Sequence, residues 1–319
     1  MPIYTLTKVN IGKESTWGTA VAATYVLPVT SDPAYAEEYN SIRDSGRRGL
    51  PSMDYALLQG GGSTAITLEG NAAPTSIGFL LHGIMGTDTL SGASDPYTHT
   101  IKAAASVPSY TIEDDNPVVY REYPGAQVSE LRLAFTAADG LLTYSSGLRG
   151  KLGVTGGAAT PTTSLSVELD KPYVGIDASV SIGGSVQARV TSFEISLARA
   201  QEAVHVTGSR DPIRIDPQPL EASFQIALDA GPSNVDDVLK YTQFLETPLV
   251  MTCEYGTPAS AGYKLLTFTA TKANFGDGVY SRDLGGGMYQ VTLNGRCIHN
   301  TTDAGPCVFV VQNARSTAY

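Results

Sequence analysis

The residues able to do chemistry in this 319-residue chain are sparse, and none is spaced for it. Its four histidines, His82, His99, His205 and His299, stand far apart. Neither H-x-x-x-H nor H-E-x-x-H occurs, so no two imidazoles share a helix face as metal ligands would. The three cysteines, Cys253, Cys297 and Cys307, include no C-x-x-C pair, and their odd number fits reduced thiols better than a disulfide framework. No G-x-S-x-G supplies a nucleophile elbow. Triple glycine at 60–62 and 285–287 lacks the Lys-Ser/Thr that completes a phosphate loop, and reads as a hinge or tight turn. The adjacent acids Glu37/Glu38 and Asp114/Asp115 point to opposite faces of an extended chain, so neither is a convergent acid–base pair. "EDDN" (Glu113–Asn116) lacks the ligand spacing of a calcium loop and reads as a solvated turn; "FGDGVYSRD" is a calcium loop on equally weak grounds. "NTT" at Asn300 is a glycosylation sequon by letter only. These patterns predict no enzyme, no metal and no cofactor.

What remains is scaffold. Hydrophobic residues make up 42% of the chain, enough for real cores, whereas charged residues make up only 16%, well under the usual ~25%. A surface so poor in charge is often covered by partner subunits. The net charge of −10 argues against a surface that grips DNA, which needs clustered Lys and Arg to displace counterions. "MPIYTLTKVN" has no basic n-region followed by an apolar stretch, so no signal peptide is expected, and no apolar run approaches the ~18 residues of a membrane span.

Glycine and proline punctuate short β-favouring runs. In "SELRLAF", Leu131, Leu133 and Phe135 alternate with Glu130, Arg132 and Ala134. In "SFEISLA", Phe193, Ile195 and Leu197 alternate with Ser192, Glu194 and Ser196. Period 2 with one apolar face is the mark of half-buried antiparallel strands. Two stretches read as short amphipathic helices packed across a sheet. "APTSIGFLLHGIMG" aligns Ile77, Leu80, Leu81 and Ile84 and stops at Gly86, with His82 beside the apolar face; "GPSNVDDVLKYTQFLE" opens on cap residues Ser233 and Asn234.

The second half repeats the order of the first. "VTSDPAYAEEYNSIRDSGRR" from Val29 matches "VTSFEISLARAQEAVHVTGSRD" from Val190. Each is followed by a strand, a Pro-containing loop and a helix. "PSYTIEDD" then matches "PLVMTCEYG", and "VSELRLAFTAADGLLTYSSGLRG" matches a hairpin with a longer loop that ends at "VTLNGR". The offset is close to half the chain and shrinks towards the C-terminus. This pattern predicts an N-terminal arm over 1–28 and two tandem modules over 29–155 and 156–319, joined near the Gly/Thr/Pro-rich "GKLGVTGGAATPTTS".

This ordered set resembles the tail tube (major tail) proteins of long-tailed bacteriophages. The resemblance rests on "GKESTWGTAV", "GGSTAITLEGNAAPTSIGFLLHGIMG", "YTHTI" before "PSYTIE", "YPGAQVSELRLAFTAADGLLTYSSGLRGK" and "GSRDPIRIDPQPLEASFQI", and covers nearly the whole chain. It implies a mainly β fold of tandem tail-tube-type β-sandwich or barrel modules, each with one short flanking α-helix. It implies (pseudo)hexameric rings stacked into a tube around the tape measure protein, bounded by tail terminator and tail-tip proteins, in the virion tail after assembly in the host cytoplasm. The genome would pass through the lumen without specific binding, and no membrane is involved. Two modules per chain predict a trimeric ring, with a hexamer as the second choice.

The chain's single tryptophan, Trp17, sits in the small-residue stretch "KESTWGTAVAAT". The expectation is that the segment Pro2–Thr24 docks on a neighbouring subunit or ring with Trp17 as an anchor; the alternative is that Trp17 caps its own sandwich. The long segment Asp32–Gly60 is expected to make inter-ring contacts through Glu37, Glu38, Arg43, Asp44, Arg47 and Arg48, whose mixed charges would set register; the alternative is a solvated loop. A head decoration or tail fibre module would share the composition, and a β-sandwich hydrolase would need converging carboxylates.

Overall fold

The computed structural model describes residues 7–137, 140–155, 161–229, 246–276, 281–283 and 290–319. The first half runs β1 (Lys8–Lys13), β2 (Tyr25–Leu27), β3 (Ala34–Asp44), β4 (Ala56–Asn71), α1 (Ser76–Met85), β5 (Gly86–Ser91), β6 (Tyr97–Ala103), β7 (Tyr110–Asp115), β8 (Tyr120–Thr136), β9 (Thr143–Gly150) and β10 (Val154–Thr155). The second half begins with β11 (Ser166–Val167), β12 (Ala178–Ile182), β13 (Ser185–Val186), β14 (Val190–Ala198), β15 (Gln201–Val204) and β16 (Arg214–Pro217). It continues with β17 (Glu221–Asp229), β18 (Glu246–Tyr255), β19 (Lys264–Asn274), β20 (Ser281–Asp283), β21 (Gln290–Cys297) and β22 (Val308–Asn313). The fold is mainly β, as the alternating runs predict: in β14, Phe193, Ile195 and Leu197 are buried while Ser192, Glu194 and Ser196 stay partly exposed.

The pairings build three connected sheets. The longest runs β3-β4-β9-β8-β14-β17-β21-β20, antiparallel throughout. A second runs β11-β2-β1-β7-β8-β10. A third runs β13-β12-β18-β19-β22-β6-β5. Strand β8 serves two of them: its first residues pair with β7, those from Gln127 onward pair with β9 across a bulge between Val128 and Glu130, and those beyond the bulge also pair with β14. A short β19–β21 contact at Ala273 and Asn274 joins the third sheet to the longest. Among the described strands the long sheet does not close; it ends at β3 on one side and at β20 on the other. Strands β15 and β16 form a separate hairpin.

One hydrophobic core lies under these sheets, fed by Leu131, Leu133, Phe193, Ile195, Phe224 and Ile226 of the long sheet together with α1. The helix ends as predicted, at Gly86 with φ 108°, a left-handed conformation that glycine adopts without a Cβ clash. It is not amphipathic, however. All ten of its residues are buried, because β8, β6 and β5 pack around it and the hydroxyl end of the Tyr319 ring abuts Gly78. No side chain of its own caps its N-terminus; instead the carboxylate of Glu168 accepts the N–H groups of Thr75 and Ser76, both at 3.0 Å.

Several sequence expectations change in the fold. The segment read as an arm contributes β1 and β2 to the second sheet, with Val9 and Ile11 in the core. "EDDN" is not a solvated turn: Glu113, Asp114 and Asp115 end β7, and Glu113 is buried, accepting from Asn10 Nδ2 at 3.0 Å and Ala23 N–H at 3.1 Å. Gly60–Gly62 is neither hinge nor turn but lies within β4, where side chains would collide with neighbours. The second predicted helix and the glycines at 285–287 lie outside the described residues, as do the central residues 277–280 of "FGDGVYSRD".

Candidate assembly surfaces

Strand β9 pairs with β4 only from Thr64 to Asn71, so the outer part of the β3–β4 hairpin has no third strand beside it. It projects as a two-stranded ribbon. The charged residues singled out from sequence fall on it in two groups. At its base, Glu37 and Glu38 turn to opposite faces, as extended neighbours must. Glu37 pairs with Arg121 of β8, and Glu38 lies 3.6 Å from the Arg149 guanidinium of β9. Towards the tip, Arg43 pairs with Asp54 and Arg48 with Asp44, and the Arg48 guanidinium lies 4.5 Å from the centre of the Tyr55 ring. Arg47 is exposed. Five of the six charges thus meet partners inside the chain.

What the ribbon presents outward is apolar. Ile42, Leu50, Met53, Leu57 and Leu58 are each more than half exposed, Met53 at 83%. Charge drew attention in the sequence; the signal for this surface was the cluster of large apolar residues in "GLPSMDYALLQ", which no two-sided ribbon can bury.

Trp17 is placed elsewhere. Its half-buried ring packs on Gly125 of β8, and the Lys151 ammonium sits 5.0 Å from the ring centre. The strap that carries it is fixed by Glu14, a buried carboxylate. Glu14 accepts from Gly18 N–H (2.8 Å), Ser109 Oγ (2.6 Å), Thr111 Oγ1 (2.9 Å) and Gly125 N–H (2.7 Å). Nothing brings Trp17 together with the ribbon's charges within the chain.

A third surface is the polar face of the long sheet. Arg132 of β8 and Glu194 of β14 form a two-pronged pair, Nε–Oε1 and Nη2–Oε2 both at 2.5 Å. Gln225 of β17 donates to Asn294 of β21 at 2.8 Å. Two depressions lie on this same face, one among Glu194, Ser223, Gln225, Asn294 and Arg296, another over Glu69, Arg132, Thr143 and Ser145. No nucleophile–base pair converges in either. Among the described residues no His, Cys, Asp and Glu side chains group as metal ligands, and no helix is long and apolar enough to cross a membrane.

A sheet with two unpaired edges, a projecting apolar ribbon and a polar face define the class as a β-structured assembly protein. The phage tail tube protein family matches residues 5–297, and the chain belongs to that family. It is a structural component of the bacteriophage virion tail, one that self-assembles into the tube and associates with other tail components; its family is generally non-enzymatic. No curated protein matches the chain.

Proposed function

We propose that three copies of this chain close a pseudo-six-fold ring, and that rings stack into a tube which surrounds the tape measure protein and later conducts the genome. Terminator and tip proteins bound its two ends, and assembly takes place in the host cytoplasm. Each chain supplies two tube modules, 29–155 and 156–319, with residues 1–28 strapped to the first.

The observation that carries this reading is the junction of β8 with β14. Strands β3-β4-β9-β8 have their counterpart in β14-β17-β21-β20. Ile66 stands between Tyr35 and Leu148 as Phe224 stands between Ile195 and Gly295. Within the chain the two sets are joined by β8 against β14, with Arg132 opposite Ser196. The edge of β3 is the counterpart of β14's, and the edge of β20 the counterpart of β8's. Carrying the register over sets Ala36 of one chain opposite Ser281 of the next. Three such head-to-tail contacts close a circle and leave no edge of the long sheet unpaired, which removes that template for disordered strand addition.

The polar face of the long sheet then lines the channel, with the Arg132 guanidinium already committed to Glu194. A guanidinium paired in this way is a poor partner for DNA phosphates and their counterions. The β3–β4 ribbon reaches the next ring with its apolar residues, and Trp17 stiffens the strap beside the ring seam.

Paired cysteines test the seam. The variant carrying Ala36→Cys and Ser281→Cys, oxidised after assembly, is expected to give a denaturing-gel ladder that stops at three chains. A ladder ending at six overturns two modules per chain; assembled tubes that give no cross-link overturn the register. The native thiols do not interfere, since burial pushes Cys253 and Cys297 up to about 12.

A further inference from the structure

We infer that the second hairpin of the chain, between β14 and β17, is not a stacking element but a buttress for the first, so that each chain offers one stacking ribbon and not two. The inference rests on the stacked-ring reading above. Both hairpins connect the first two strands of their four-strand set, yet they are built differently. The first projects. The second breaks from the long sheet after Ala198 and folds into the separate β15–β16 pair, which lies down on the first half of the chain.

Arg199 is the clasp. It is 4% exposed, and its guanidinium faces carbonyl groups: Ile84 at 3.2 Å and Ala104 and Ala105 at 2.7 and 3.1 Å, with Gln218 at 3.0 Å. A cation at the carbonyl-rich end of α1 also meets the negative end of the helix dipole. Its neighbour Gln201 donates to the Val128 carbonyl at 3.1 Å, where β8 bulges. So held, the second hairpin brings its turn to the root of the ribbon. The Gly62 N–H donates to the Arg210 carbonyl at 2.9 Å, and a Cβ at Gly61 would stand 2.7 Å from His205 Nδ1. The glycines of β4 are where this turn seats.

A two-stranded ribbon with no third strand is marginally stable in direction as well as in fold. Propping its root holds the outer residues near one orientation before the next ring arrives. Rigidifying a segment in its bound geometry strengthens association without a new contact, because less freedom is lost on binding. A trimeric ring then stacks through three ribbons, each propped by its own chain's second hairpin.

Three variants of the full chain test this, each assembled by concentration and scored by electron microscopy with melting temperature alongside. Replacing residues 46–53 by Gly-Gly is expected to leave rings that do not stack. Replacing 206–212 by Gly-Gly, or making Gly61→Val to push His205 off its seat, is expected to keep tubes but to raise the protein concentration needed for them about tenfold. Loss of stacking in the 206–212 variant with rings intact overturns the inference, since the second hairpin would itself be a contact. Tubes at the wild-type concentration in both root variants overturn it equally. If the 206–212 variant melts early, Gly61→Val decides. Tubes from the 46–53 variant, or a wild-type chain that makes neither rings nor tubes, contradict the stacked-ring reading itself.

Discussion

His82 sits in the middle of α1 with Nδ1 3.0 Å from the Tyr110 hydroxyl, which donates in turn to the Phe79 carbonyl at 3.1 Å. Burial, helped by the charge of Lys13, pushes the imidazole from 6.5 down to about 4. The folded chain therefore resists protonation that the unfolded chain accepts. The stabilisation is whole above pH 6.5 and is lost as pH falls towards 4, by about 3 kcal/mol in all. His82→Gln is expected to be less stable at neutral pH yet to show a flatter decline over that window in urea titrations. Parallel declines would place the acid sensitivity elsewhere. From the sequence, His82 was legible as a helix-side residue, but its burial was not, since that depends on Tyr110 reaching it from the distant strand β7. The ribbon's charges were likewise legible as a group, whereas their pairing with Arg121 and Arg149 depends on strand order, which no local pattern carries.

The strap from Glu14 to Gly18 shows how one residue can organise an element with no regular structure. Four donors from three parts of the chain converge on one carboxylate. Glu14→Gln replaces two acceptor positions with an amide that repels them, and is expected to cost roughly 2–4 kcal/mol. Trp17 is the only tryptophan, so its emission reports the strap directly: a red shift in the variant at full secondary structure is the expected result. Unchanged emission would mean that Gly125 and Lys151 hold the ring unaided. Elements with a strict period were readable in advance, such as β14 with its three buried apolar residues and α1 with its Gly86 stop. Elements fixed by partners were not. Strand β2 has only three residues and β1 is buried on both faces, so neither shows a period, and Gly60–Gly62 reads as a break until His205 is placed against it.

For the whole molecule, the recurring order of motifs is the feature of the sequence on which the two-module proposal rests. What it did not convey is that the halves are interlocked. The β5–β6 hairpin of the first half pairs with β22 of the second, and β8 with β14, so neither half buries its core alone. Removing residues 156–319 is thus expected to leave an insoluble fragment and not a half-size ring subunit. The most direct test of the account is the rotational symmetry of rings formed by the purified chain, read from end-on views in the electron microscope. Three chains per ring around an open channel, with six similar lobes, is the predicted result. Six chains per ring would contradict it.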